Sequence, residues 1–322
     1  MATLKDVAKR AKVSVTTASY AINDSPQITK ETKQKVLDAA KEIGYRPNGM
    51  AKNLKQNRTN IIGVFISGFT GPFFNEMLEG VHEVVMREGY ELVVCASVDK
   101  HRLLIEQYVD GAIIFNFHMK DELLERVASE KMPLVVMDRE IDHPYIHNLV
   151  LPNREGIEEA LVHLVDKGHR HIGFMAGSEK SYDGEMRLSA YQRFMEGHGL
   201  GVESKNIIRA DFTELSGYLT MKDYLDRLEK PLTAFVCAND EMAIGAIKAI
   251  NEHGINVPTD IAVVGFDDIE ISQFITPALT TVRVQKKHWG IQAAETLFKM
   301  VDKQFDVVSE VPALQLIKRS SG

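Results

Sequence analysis

Cysteine is scarce in this 322-residue sequence, with two in all. Cys95 in ELVVCAS and Cys237 in TAFVCAND each sit inside an apolar run, which excludes a disulfide framework or a zinc cluster and reads as two buried strand residues. No apolar stretch approaches the ~18 residues of a membrane span, and the opening MATLKDVAKR lacks the apolar core of a secretory signal. The expectation is a cytoplasmic protein with no membrane partner. Low-complexity tracts are missing as well: 44% apolar and 26% charged residues, with a mean hydropathy of −0.15, describe a folded globular chain.

The usual signatures of catalysis are also missing. The sequence has no P-loop, no dinucleotide fingerprint, no G-x-S-x-G elbow and no H-E-x-x-H. His169 and His171 in GHRHIG invite a metal reading, but alternate residues of a strand point to opposite faces and no third ligand accompanies them at suitable spacing. Asp267 and Asp268 are adjacent and so diverge. The reading is therefore no enzyme, no cofactor and no metal.

What is present is a strong division of charge. Residues 1–60 hold 12 Lys/Arg against 5 Asp/Glu, a net of +7, while the remaining 262 hold 26 against 40, a net of −14. A compact basic head is the electrostatic footprint of a nucleic-acid binder, and an acidic body is repelled by phosphate. Within the head, Thr3 and Asp6 form a capping-box variant opening a helix over Leu4 to Arg10, and Ser14 is a good N-cap for a second helix from Val15 to about Ile22. That is helix-turn-helix spacing. Ala18, Ala21 and Ile22 turn inward, leaving Thr16, Ser19 and Tyr20 outward with Val15 and Thr17 beside them, a set of small hydrogen-bonding groups plus one phenol suited to a DNA groove. A third helix, Lys30 to Ile43, closes the small core; three helices that never touch DNA remain the plainer alternative. Residues 44–60 carry Pro47 and Gly49 and read as a linker whose Asn48–Gln56 run is too short to be helical alone.

From Ile61 the pattern becomes apolar strands alternating with helical periodicity, the signature of parallel α/β architecture. Strands are expected at 61–66, 91–96, 112–117, 133–138, 171–177, 206–211, 233–238 and 261–266, with a last one at 313–318. Helices are expected at Phe73–Arg87, Glu155–Lys167, Glu241–Glu252 and about Lys287–Lys303. Two such sets make two similar subdomains divided near 150–155, with a cleft at the strand C-termini, where open α/β sheets bind ligands. Ser67 and Phe69 end the first strand, Phe73 starts the following helix, and Asp138 with Arg139 ends the fourth. Arg187, Phe212, Asn239, Asp240 and Asp267 fall at matching ends of the second set. Aromatic faces with Arg, Asn and Asp suit a sugar, whose C–H face stacks on Phe while its hydroxyls pair with polar groups. Asp240 has a plainer reading as a helix cap and Asp268 as an ion-pair partner; Phe65, Phe115 and Phe235 read as core.

TLKDVAKRAKVSVTTASYAIN, GYRPNGMAKNL, GPFFNEMLEGV, DKGHRHIGFMAG, ANDEMAIGAIKAINEHGINVPTDIAVVGFDD and TPALTTV, in that order, resemble the lactose-repressor/galactose-repressor family of bacterial transcription regulators over essentially the whole chain. The resemblance implies a helix-turn-helix domain at 1–46, a hinge helix at 47–60, and a two-lobed body like that of periplasmic binding proteins at 61–322. Its first lobe would cover about 61–150 and 284–310, its second about 151–283 and 311–322. It implies that Val15, Thr16 and Tyr20 read bases and that Ser14, Thr17, Ser19 and Asn23 lie near phosphates. In the connector, Asn48, Ala51 and Leu54 would be DNA-binding positions, Leu54 as a minor-groove wedge. Phe212 would stack on an effector and Arg187, Asn239 and Asp267 would contact it, with Ser67, Phe69, Phe73 and Asp138 completing the pocket.

The function so implied is a repressor of carbohydrate uptake or catabolism, acting as a homodimer on a pseudo-palindromic operator in double-stranded DNA and governed by a sugar or sugar phosphate. A purine or nucleoside effector and a phosphoprotein corepressor are the alternatives. A sugar-binding transport protein shares the body but not the basic head. The chain departs from the family pattern in four places. Tyr20 stands where most members have Arg. Gly49 and Met50 replace bulkier or more varied groups. About ten residues are missing between Ser97 and Asp110, so that a helix at His101–Tyr108 must be stubby. Arg283, Val284, Gln285 and Lys286 stand where Gln-Pro usually follows TTV. No leucine heptads follow Arg319, which favours a dimer over a tetramer.

Overall fold

The structure is a computed structural model that describes residues 2–47, 58–227 and 232–322. The chain divides into two compact units, with the division between Thr59 and Asn60. In the first, α1 (Leu4–Ala11), α2 (Val15–Ile22) and α3 (Lys30–Glu42) pack around Val7, Ala8, Ala11, Ala18, Ala21, Val36, Ala39 and Ala40. Alanine dominates this core because three short helices must approach closely to bury anything at all. The Thr3–Asp6 capping box is present, with the Thr3 amide donating to Asp6 Oδ2 at 2.9 Å. Lys12 ends α1 in a left-handed conformation at φ 54°. Two residues later Ser14 Oγ accepts from the Thr17 amide at 3.0 Å and starts α2, so sequence-encoded stop and start signals set the tight turn.

The second unit contains two sheets. The first has the order β2-β1-β3-β4-β5, all parallel, from β1 (Ile61–Ile66), β2 (Glu91–Cys95), β3 (Gly111–Phe115), β4 (Leu134–Val136) and β5 (Ile146–Asn148). Helices α4 (Phe73–Arg87), α5 (Arg102–Ile105) and α6 (Asp121–Val127) connect these strands. The shortened stretch after Ser97 leaves α5 a single turn. The second sheet has the order β11-β10-β9-β8-β6-β7, from β6 (Ile172–Ala176), β7 (Ile207–Arg209), β8 (Ala234–Cys237), β9 (Ala262–Asp267), β10 (Thr280–Val284) and β11 (Leu314–Ile317). It is parallel except for β11, which lies antiparallel on β10 at the edge. Its helices are α7 (Asn153–Asp166), α8 (Tyr182–Gly197), α9 (Glu214–Arg227) and α10 (Asp240–Glu252).

The chain crosses between these lobes at 149–152, returns through 284–286 into α11 (Lys286–Val301), which packs on α4 of the first lobe, and crosses again before β11. Buried Trp289 braces two of these crossings, its indole N–H donating to the Leu149 carbonyl at 3.0 Å.

Each lobe also owes its shape to helices that touch backbone to backbone. A Cβ on Gly290 of α11 would stand 2.1 Å from the Met77 carbonyl oxygen of α4, and one on Gly80 of α4 would stand 2.1 Å from that of Lys287. The second lobe repeats the device: a Cβ on Gly245 of α10 would stand 2.1 Å from the Glu214 oxygen of α9. Because the obstacle is backbone, no rotamer relieves it. We expect Gly290→Ala to destabilise the body by about 1–3 kcal/mol, read as a lowered melting temperature, with the helix-turn-helix unit melting as in wild type. An unchanged body transition would mean that the helices separate freely.

Candidate functional site

On the first unit, the outer face of α2 presents Thr16 together with Val15, 44% exposed, and Tyr20, 41% exposed, while Thr17 and Ser19 are half-buried. A β-branched apolar side chain and a phenol are thus left open to solvent on this small unit. Ser14 and Thr17 hydroxyls lie 2.8 Å apart, and the Asn23 side-chain amide donates to the Ser19 carbonyl at 2.8 Å. Both ends of the helix are thus held by the short polar side chains that the resemblance would put near phosphates. Asn48, Ala51 and Leu54 lie outside the described residues, as does most of the expected hinge helix.

In the body, a cleft of about 260 Å³ opens between the C-terminal edges of the two sheets. It brings together six of the eight residues expected there: Ser67, Phe73, Arg187, Phe212, Asn239 and Asp267. Two are elsewhere. Phe69 is 68% exposed on the turn before α4, and Asp138 is buried with its carboxylate held by Arg139 at 3.1 Å. The adjacent cation takes up Asp138 because Arg139 is itself tied to the Asn116 and Met119 carbonyls. Phe115, expected in the core, is half-buried and faces the cleft, as the C-terminal end of a central strand should. It anchors an edge-to-face cluster with Phe74 at 5.3 Å and Trp289 at 5.5 Å, and lies tilted against Phe73 at 5.7 Å.

Sequence reading missed Asp183 and Asn153, whose importance comes from contacts between distant segments. Arg187, 4% exposed, donates from Nε to Asn153 Oδ1 at 2.8 Å and from Nη1 to the Ala238 carbonyl, and its guanidinium carbon lies 3.7 Å from the Phe266 ring centroid. Asn153 in turn donates to Asp183 Oδ1 at 2.7 Å. Burial pushes the Asp183 carboxyl up to about 6. Asp267, at φ 111°, lies 3.7 Å from Arg187, and its Oδ1 is buried with no hydrogen-bond partner. An unpartnered buried acceptor beside a cleft is the group a ligand donor would satisfy.

Asn239 was expected to contact the effector, but its amide is engaged within the protein. Oδ1 caps α10 by accepting from the Met242 amide at 3.0 Å, and Nδ2 donates to the Phe212 carbonyl at 2.9 Å. Asn239, not Asp240, is therefore the cap. Asp240 is fully buried and accepts from the Ile269 amide at 2.9 Å, Ser272 Oγ at 2.6 Å and Thr281 Oγ1, which fixes the loop after Asp267. Asp268 is the ion-pair partner expected, with Arg283 at 2.6 Å and Arg319 at 2.7 Å. Asn239 holds Phe212 at φ 69°, and the ring lies where a Cβ on Gly177 would be 2.0 Å from Cζ, so only glycine fits beneath it.

Burial pushes the Asp267 carboxyl up to about 8; Arg187 lowers it and Asp240 raises it further. A raised folded-state value means that the contribution of this group to stability is full below about 4 and is lost as pH rises toward 8. We expect Asp267→Asn to melt higher than wild type by a margin that grows from pH 5 to pH 8.5 in ligand-free protein. A margin independent of pH would show that Asp267 is ionised throughout.

Both units match known protein families. The model for bacterial regulatory proteins of the lacI family matches residues 3–48, and that for a periplasmic binding protein-like domain matches residues 161–322. The HTH-type transcriptional repressor PurR of Histophilus somni (strain 129Pt) is 36% identical over 332 aligned residues, covering 99% of this chain and 98% of its own. Among solved structures, the lac repressor dimer bound to operator and the anti-inducer ONPF is 28% identical with a TM-score of 0.82, covering 99% and 98% of the two chains. The transcriptional regulator CelR in complex with cellobiose is 28% identical with a TM-score of 0.73 over all of both chains. With an exposed recognition face on a basic head and a ligand cleft in an acidic two-lobed body, this chain belongs to the lacI family of bacterial regulatory proteins and is a DNA-binding transcriptional repressor, not an enzyme.

Proposed function

We propose that the cleft binds an uncharged sugar, and that its occupancy sets the affinity of a homodimer for a pseudo-palindromic operator controlling carbohydrate uptake or catabolism. The observation that carries this reading is the buried, unpartnered Oδ1 of Asp267 in a cleft walled by Phe73 on one lobe and Phe212 on the other. A sugar ring offers apolar C–H faces to both rings and a hydroxyl that can pair with the Asp267 carboxyl in either protonation state. Charge argues against a sugar phosphate. Asp183, Asp211 and Glu241 line the cleft, and Arg187 is already committed to Asn153 and Ala238. A phosphate would enter a site dominated by its own sign. Cellobiose, bound by the structurally similar regulator CelR, is a compound of the class expected here.

Lobe movement is the means of coupling: a ligand that prefers one lobe arrangement shifts the population toward it, and about 1–3 kcal/mol changes operator affinity 5–150-fold. A thermal-shift panel of neutral mono- and disaccharides, their phosphates, and purine bases and nucleosides tests the assignment. At a hundred times its Kd a ligand stabilises by about 2.7 kcal/mol, so the neutral sugar should raise the melting temperature, its phosphate should not, and Arg187→Ala or Asp267→Ala should abolish the shift. A response to phosphates alone, or to purines alone, would overturn the sugar reading.

At the DNA surface, Tyr20 offers one hydroxyl and a ring edge where an Arg would grip guanine O6 and N7 together, a contact worth about 1–3 kcal/mol of discrimination. Selection from a random DNA pool should give Tyr20→Arg a new guanine preference at one symmetric pair of positions. A motif identical to wild type would remove Tyr20 from the base-reading set.

A further inference from the structure

Lys286 is a buried lysine, 2% exposed, at the first turn of α11, just where the chain re-enters the first lobe. Its ammonium donates to two consecutive carbonyls of the second lobe, Asp267 at 2.8 Å and Asp268 at 3.1 Å, and lies 3.3 Å from Glu76 Oε1 on α4. Both carbonyls belong to residues with positive φ, 111° at Asp267 and 50° at Asp268. A turn of two non-glycine residues in that region persists only when its surroundings hold it. The surroundings include Lys286 on the carbonyl side, Arg283 and Arg319 on the Asp268 carboxylate, and Asp240 and Thr281 on the amides that follow Asp267. The same turn carries the Asp267 carboxylate into the effector cleft, and the same helix α4 carries Phe73 into its opposite wall. One ammonium therefore touches the backbone of the ligand-contacting turn in one lobe and the helix that supplies the aromatic wall in the other.

The geometry points to Lys286, backed by Glu76, as an interlobe latch: a positioning residue that grips the Asp267–Asp268 turn and sets the separation of the lobes, and so passes changes at that turn to the first lobe. This rests on the proposal that lobe arrangement governs operator affinity, but the latch itself can be measured without any effector. Spin labels at Val98→Cys in the first lobe and Leu219→Cys in the second, both exposed in wild type, report the lobe separation in a Cys95→Ser background, with labelled protein diluted into unlabelled full-length chain. Cys237 is fully buried and stays unlabelled.

Lys286→Met keeps the volume and replaces a buried charge with an apolar chain, an exchange that folded proteins tolerate. It should add a longer-distance population to the narrow wild-type distribution, and Lys286→Arg should restore the wild-type distribution. Glu76→Gln, a change at an exposed position, should broaden the distribution in the same direction and decides the matter if the methionine variant fails to fold. Operator affinity of Lys286→Met should differ from wild type at least 5-fold, although neither residue lies in the helix-turn-helix unit. Wild-type distances in Lys286→Met, or in Glu76→Gln where that variant decides, overturn the latch. Altered distances with wild-type operator affinity overturn its role in transmission and with it the lobe-coupling proposal, whereas a failed sugar screen leaves the latch untouched.

Discussion

A guanidinium almost shut off from water organises the body of this repressor. Arg187 cannot lose its charge, so everything near it must compensate: the Asn153 and Ala238 oxygens accept from it, the Phe266 face lies beneath it, and Asp267 stands close by. These partners come from three segments of the second lobe, with Phe266 and Asp267 both on β9, and Asn153 is the first residue after the chain crosses from the first. Satisfying one cation therefore fixes where α7 begins, how α8 sits against β8 and β9, and which way the end of β9 turns.

That compensation is incomplete in a useful way. Asp267 lies 3.7 Å from Arg187, beyond hydrogen-bond range, and its inner oxygen has no donor. An arrangement optimised for the stability of the empty body would close that gap. Leaving it open keeps a buried polar oxygen unsatisfied beside a cleft lined by phenylalanine rings and by polar groups such as Ser67, Asp183 and Asp211, and under the proposed function a ligand that cannot pair there would leave the group unpaired. The loop that bears it is kept in place from behind by Asp240, whose carboxylate accepts from Ile269, Ser272 and Thr281. Two buried acidic residues thus differ in whether donors of the protein reach them: Asp240 is fully paired and Asp267 keeps an unpaired oxygen.

The division of charge along the chain follows the same logic at larger scale. The basic head is attracted to phosphate without regard to sequence, and the acidic body is not, so that contact with DNA is concentrated on the unit that carries the recognition helix. Within that unit the affinity and the selectivity reside in different groups: lysines and arginines supply the field, while the exposed side chains of α2 are nearly all uncharged and short.

Much of this was legible in the residues themselves wherever the physics is local. Thr3, Asp6, Ser14 and the alanine stripe declare the three helices because capping and helical periodicity act within a few residues. The apolar runs declare the strands for the same reason, and α4 spans Phe73–Arg87 as its periodicity predicts. The three-residue strand β5, Ile146–Asn148, was not legible, since it owes its conformation to the neighbour that completes its ladder. Strand ends located the cleft and six of its residues, but not what each does. Asn239 lines the cleft but is also a cap and a tether, and Asp138 is taken by Arg139; Asp183 and Asn153 carried no local signal, and Lys286 stood out only as a departure from the family pattern. Sequence by itself determined most of the strands, several of the helices, the charged division and the family, because those depend on composition, spacing and order along the chain. Only the tertiary structure decided which polar groups are already paired and which are left for a ligand, because pairing depends on distances between segments that the chain brings together from far apart.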